Sequence, residues 1–122
     1  MTADQEGGYG AAAQVLATGA TGVFCHNDRT ALGLYDALRE SGKRVPDDIS
    51  VVGFDNQEVI SAHTHPALTT VGLPQYDLGV MGVRTLLRRC GADNDESEIV
   101  SERFEPVHVQ CPAVPRDPVR TL

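Results

Sequence analysis

The chain reads as an α/β protein built on a doubly wound parallel sheet, and three observations predict it. The run Ile49-Ser-Val-Val-Gly-Phe54 is apolar, rich in β-branched residues, and stops abruptly at Asp55 and Asn56. Bounded by turn residues, such a run reads as a strand buried on both faces, as strands of parallel sheets are. Two more short apolar runs, residues 22–25 and 68–71, alternate with stretches of helical spacing, which is the order of βαβ units. Finally, polar residues follow each run: Asn27 and Asp28, Asp55 and Asn56, then Gln75. Open parallel sheets bind ligands just beyond the carboxyl ends of their strands, so these positions mark a small-molecule pocket.

Along the chain, residues 1–8 are a polar start, with Gly7, Gly8 and Gly10 around Tyr9 as a flexible entry. Residues 9–17 place Tyr9, Ala12, Ala13 and Leu16 on one helical face, and Gly19 stops that helix. After the strand at 22–25, a second helix takes Asp28 or Thr30 as cap and buries Ala31, Leu34, Tyr35 and Leu38. Gly42 terminates it, and Pro46 keeps it from resuming. The 49–54 strand follows, and residues 57–65 form a short helix or loop. Pro74, just after the third strand, opens a helix carrying Tyr76, Val80, Val83, Leu86 and Leu87 on one side. Arg84, Arg88 and Arg89 suit the negative end of its dipole. Residues 92–98 read as an acidic loop, 99–104 and 107–110 as strands. The tail with Pro112, Pro115 and Pro118 is an irregular or mobile end, because proline interrupts helices and central strands alike.

With 122 residues this is one domain or a piece of one, and 41% hydrophobic residues supply a core. The net charge of −7 repels phosphate backbones, so the polypeptide by itself is not expected to bind nucleic acid. No apolar run is long enough to span a bilayer, and no signal peptide is visible at the N-terminus. Cys25, Cys90 and Cys111 are odd in number and lack CxxC spacing, which fits free thiols in a reducing cytoplasm better than disulfides or zinc.

A cluster of carboxylates and amides at one sheet edge can hydrogen-bond sugar hydroxyls or a polar heterocycle without covalent chemistry. Asp28 directly precedes a helix and reads as a cap. Asp55 reads as a ligand contact, since a turn alone does not explain a carboxylate at the mouth of the sheet. Asn27 stands open between cap and contact, and His26 either touches a ligand or packs at the strand end. No nucleophile elbow, phosphate loop or dinucleotide fingerprint is present, so the chain is not expected to be an enzyme. His63 and His65 form a lone HxH, better suited to a surface or interface than to a metal; neither a metal nor a cofactor is expected.

Three stretches together resemble a known family: Gly22-Val-Phe-Cys-His-Asn-Asp-Arg-Thr-Ala-Leu-Gly33, Leu38-Arg-Glu-Ser-Gly-Lys-Arg-Val-Pro-Asp-Asp-Ile-Ser-Val-Val-Gly-Phe-Asp55 and Pro66-Ala-Leu-Thr-Thr-Val71. Their order and spacing are similar to those of the effector-binding part of LacI/GalR-type transcriptional repressors, over residues 7–108. The resemblance implies a partial sensor lobe with the fold of periplasmic binding proteins: a sensor region at 1–112 and an irregular tail at 113–122. Carried over by position, Asn27 corresponds to the family's effector-contacting amide and Asp55 to its acidic contact. Leu73 and Gln75, after the third strand, correspond to cleft-facing positions, although many relatives have Gln-Pro where Leu73-Pro74 stands here. Leu32 and the segment with Val59, Ala62 and His63 correspond to the family's dimer surface.

The resemblance therefore implies a ligand-sensing and dimerising module of a regulator responding to a sugar or similar small polar effector. DNA is expected to be reached only through a helix-turn-helix headpiece that these 122 residues do not include. A solute-binding protein of a sugar transporter is the alternative, disfavoured by the lack of a signal sequence and by the 45–55 pattern, more typical of regulators. Incomplete covering of the sheet adds a reason to expect a homodimer.

Overall fold

The computed structural model describes residues 2–90 and 108–117. Two compact units emerge, one formed by residues 1–73 and 112–122, the other by residues 74–111. In the first unit the elements run α1 (Gln5–Ala17), β1 (Gly22–Phe24), α2 (Asp28–Glu40), β2 (Ser50–Val52), α3 (Glu58–Ser61), β3 (Thr70–Val71) and β4 (Ala113–Val114). The second unit contains α4 (Gln75–Arg89).

β1 and β2 pair in parallel, with Val23 opposite Val51 and Phe24 opposite Val52. Parallel bridges between Val52 and Thr69 and between Asp55 and Gly72 bring β3 to the other side of β2. The expected parallel order is thus present, and β4 extends it as an antiparallel edge, Val71 opposite Ala113. The tail expected to be irregular contributes this edge: Pro112 and Pro115 flank two strand residues, a placement that prolines tolerate at an edge. Arg116 fastens it, its backbone N–H donating to Thr69 Oγ1 and its guanidinium to the Leu68 carbonyl.

One core lies between the helices and one face of the strands. Ala31, Leu34, Tyr35 and Leu38 of α2 are all buried, as their spacing predicts, with Ala12 of α1 and Ile49, Val51 and Leu68 of the strand segments. Full burial of a side chain such as Leu38, Ile49 or Leu68 stabilises the fold by roughly 1.5–3 kcal/mol. The opposite face of the sheet is more open. Phe24 is 63% exposed and meets Phe54 edge-on, so the strands are not buried equally on both sides.

The N-terminal glycines correct the flexible-entry reading. Asp4 caps α1 by accepting from the Gly7 N–H, and Gly7 and Gly8 lie inside the helix, buried. A Cβ on Gly8 would sit 2.0 Å from the Thr30 carbonyl oxygen, and one on Gly33 would sit 1.8 Å from that of Gln5. Glycine is present because α1 and α2 cross with backbone against backbone, where no side chain fits. Tyr9, on the face shared with Ala12, is 46% exposed and turns its hydroxyl to Glu40.

The expected acidic loop at 92–98 and strand at 99–104 lie outside the described residues. Of the strand expected at 107–110, residues 108–110 are described and are not in a strand. In α4, entered from Pro74 as expected, no residue is buried; Tyr76 is 83%, Val83 57% and Leu86 61% exposed. The helix expected to carry an apolar stripe is present, and that stripe is exposed.

Candidate functional site

The parallel register brings two strand ends directly together and joins the third to them. The Asp28 N–H donates to the Phe54 carbonyl at 3.0 Å, and the Asp55 N–H to that of Val71 at 2.9 Å. Residues 26–28, 53–57 and 70–73 therefore meet at one edge, as the strand ends implied.

At their centre is Asp28, fully buried, and not the cap it was expected to be. Asn27 caps α2 instead: its Oδ1 accepts from the Thr30 N–H at 2.8 Å. That leaves Asp28 as the first helical residue, with its carboxylate turned inward. Oδ1 accepts from the Thr70 hydroxyl at 2.6 Å and Oδ2 from the Gln57 N–H at 2.7 Å. Burial pushes the Asp28 carboxyl above its ordinary value; the hydrogen bonds from Thr70 and Gln57 work against that, and the neighbouring Asp55 charge adds to it. The cluster also explains the glycine of the Val-Gly-Phe-Asp stretch. A Cβ on Gly53 would lie 2.2 Å from Asp28 Oδ1 and 2.9 Å from Leu68 Cδ2.

Asp55 and Asn56 have φ of 92° and 51°, the left-handed region that non-glycine residues enter at a cost. Oδ2 of Asp55 accepts from Gln57 Nε2 at 2.9 Å, while Oδ1 is buried with no donor among the described residues. Most buried polar atoms in folded proteins are paired, so an orphaned carboxylate oxygen on a strained turn calls for a partner. Asn56 Oδ1 accepts from Ser61 Oγ and from the Arg116 guanidinium at 3.1 Å. The side chain of Asn27 is half-buried; besides its capping oxygen, its Nδ2 donates to the Ala3 carbonyl, leaving one N–H free to donate. His26 is exposed beside it, and Leu73 is half-buried after β3. Gln75 is exposed as the first residue of α4, in the second unit.

The positions read as a dimer surface divide. Leu32, half-buried on α2, and His63, exposed after α3, line one groove of about 400 Å³ together with Tyr35, Arg39, Val45 and Pro66. Val59 is 86% exposed on α3, and Ala62 is exposed at its end.

A model of the periplasmic binding protein-like domain matches residues 1–109. The chain belongs to that family. Within it, the chain is 46% identical over 86 residues to the HTH-type transcriptional regulator MalR of Streptomyces coelicolor, covering 70% of this chain and 25% of that protein. It is 41% identical over 102 residues to the HTH-type transcriptional repressor PurR of Vibrio atlanticus, covering 84% and 28%. The chain thus spans about a quarter of the length of these curated relatives. Among solved structures, a LacI family transcriptional regulator from Enterococcus faecalis, crystallised with bound ribose, superposes with a TM-score of 0.82 at 32% identity, covering 98% of this chain and 42% of that one. These relatives are regulators and not enzymes, and the resemblance to the effector-binding part of LacI/GalR-type repressors holds. Among the described residues of this family member, no helix is long and apolar enough to cross a membrane.

Two partners at the site, Thr70 and Arg116, were not singled out from the sequence. Thr70 sits in the Leu-Thr-Thr-Val run, where alternation marks it as the inward-facing threonine. Arg116 lies 60 residues from Asn56, with no local signal of the contact.

Proposed function

We propose that the chain is the effector-binding region of a LacI-type transcriptional regulator and takes a sugar or similar small polar molecule at the strand ends. The observation that carries this reading is Asp55, a carboxylate with one orphaned buried oxygen on a left-handed turn. A hydroxyl or amine of the effector is the donor it lacks. The free N–H of Asn27, exposed His26 and Leu73 supply the other contacts. The ribose bound by the Enterococcus faecalis neighbour supports a carbohydrate as the ligand class. The similarity to regulators favours this reading over a transporter's solute-binding protein. Nothing in the reading calls for catalysis or a cofactor, and its setting is the cytoplasm.

The sensor region runs over residues 1–112, and the described part of the tail adds an edge strand to it. Two copies dimerise through the side of α2 and α3 that carries Leu32, Val59, Ala62 and His63. DNA is bound through a helix-turn-helix headpiece and not through these 122 residues, whose charge of −7 disfavours the contact.

Calorimetric titration with ribose and a panel of neutral mono- and disaccharides tests the ligand reading. Saturable binding of one of them is expected, weakened by Asp55→Ala on the order of tenfold or more, as the loss of a charge-assisted hydrogen bond requires. Binding unchanged in Asp55→Ala would remove Asp55 from the pocket.

A further inference from the structure

We propose that Asp28 is a positioning residue for the effector site: through Thr70 and the Gln57 amide, it holds the turn that presents the Asp55 carboxylate. The inference rests on the reading of that turn as the binding turn. Three successive amides of the turn are each caught by a different acceptor. The Asp55 N–H donates to Val71 O, the Asn56 N–H to Thr70 Oγ1 at 3.3 Å, and the Gln57 N–H to Asp28 Oδ2 at 2.7 Å. Thr70 accepts from Asn56 while donating its own proton to Asp28 Oδ1 at 2.6 Å. Remove the carboxylate and two links fail together, because the Gln57 N–H loses its acceptor and the Thr70 hydroxyl loses the partner that orients it.

A capping role does not account for this arrangement, since Asn27 already caps α2. Simple core filling does not either. Burying a carboxylate costs free energy that an apolar side chain of similar volume avoids. The chain also keeps glycine at position 53, where any Cβ would collide with the Asp28 oxygen. What the carboxylate supplies, and an apolar group cannot, is two acceptors aimed at two different segments. Those segments are β3, at its first residue Thr70, and the turn holding Asp55 and Asn56 at positive φ. Asp28 itself need not touch the effector: it acts through the turn.

Amide hydrogen exchange by NMR on the full chain tests this without a ligand, using Asp28→Asn, Thr70→Val and Thr70→Ser. An asparagine retains one acceptor of two, a valine removes the relay, and a serine restores the hydroxyl. The expected result is exchange at Gln57 and Asn56 faster by about tenfold or more in Asp28→Asn and Thr70→Val. Exchange at Cys25 and Gly53, bonded within the sheet, stays near wild type, as does the whole pattern in Thr70→Ser. A ribose titration of the same proteins forms the second arm, with affinity expected to fall in parallel with turn protection. Uniform acceleration across all amides, or an unchanged turn in Asp28→Asn, overturns the proposal by making Asp28 an ordinary core residue. So does ribose affinity that stays at the wild-type value while the turn loosens. If the wild type binds no ribose, the carbohydrate reading loses its support, and the exchange arm alone decides the role of Asp28.

Discussion

The ends of β1 and β2 carry the same two residue types in opposite order, Asn27-Asp28 and Asp55-Asn56, and the fold uses them differently. In the first pair the amide comes first, in extended backbone, and reaches forward to cap α2. The carboxylate, one residue on, then falls inside the first helical turn and is buried with both oxygens bonded. In the second pair the carboxylate comes first, at φ 92°, and keeps one oxygen without a donor. The comparison teaches that neither residue type marks function here. The acceptors of the first pair are consumed by the chain, and the second pair leaves one over, at a cost in backbone strain that the surrounding bonds must hold.

Breaking the first pair is expected to hurt the fold most. Asp28→Ala orphans the Thr70 hydroxyl and the Gln57 N–H, and is expected to cost on the order of 3 kcal/mol in urea unfolding. A loss under 1 kcal/mol would equate the two pairs and remove the distinction. Next in size is Gly53→Ala, which presses a methyl group onto the same carboxylate at 2.2 Å and is expected to cost about 2 kcal/mol by overpacking. Smaller still is Asn27→Ala, expected to remove about 1 kcal/mol of capping, with Asn27→Ser recovering most of it.

The mildest effect appears only at alkaline pH. Burial, with some help from the Asp28 charge, pushes the Cys25 thiol from its ordinary 9.0 up to about 11. Because the folded-state value is raised, the neutral thiol's contribution is fully present below about pH 9 and is lost as pH rises through 11. Thermal melts should therefore show no Cys25-dependent change up to pH 9 and a falling midpoint beyond it, less steep in Cys25→Ala. Tyr35, also raised by burial, adds to the loss in both proteins.

How much of this was legible in the sequence follows the range of each interaction. The strand order, the buried stripe of α2 and the meeting of strand ends were readable, because short apolar runs and helical spacing encode them locally. The stripe on α4 was equally readable as a pattern, yet nothing of α4 is buried: periodicity defines a face and not what covers it. Gly7 and Gly8 looked flexible because glycine favours freedom when considered alone. Only the fold makes their missing side chains necessary: a Cβ on Gly7 would meet the Thr2 carbonyl, and one on Gly8 that of Thr30 in α2. Asp28 was misassigned since the rule that places Asp at a helix start fits Asn27 equally, and which residue caps depends on the backbone at 27. Arg116 had no local signal, because its partners lie 47 to 60 residues away.

Whether the acceptor left over at the second strand end is a ligand acceptor is most directly read by an amide-resolved NMR titration of the full chain with ribose. The account expects saturable shifts concentrated at Asp55, Asn56 and Gln57, with smaller ones at His26, Asn27 and Leu73, and their disappearance in Asp55→Ala. Saturable shifts confined to the groove beside Leu32 and His63, with the Asp55 turn unmoved, would contradict it.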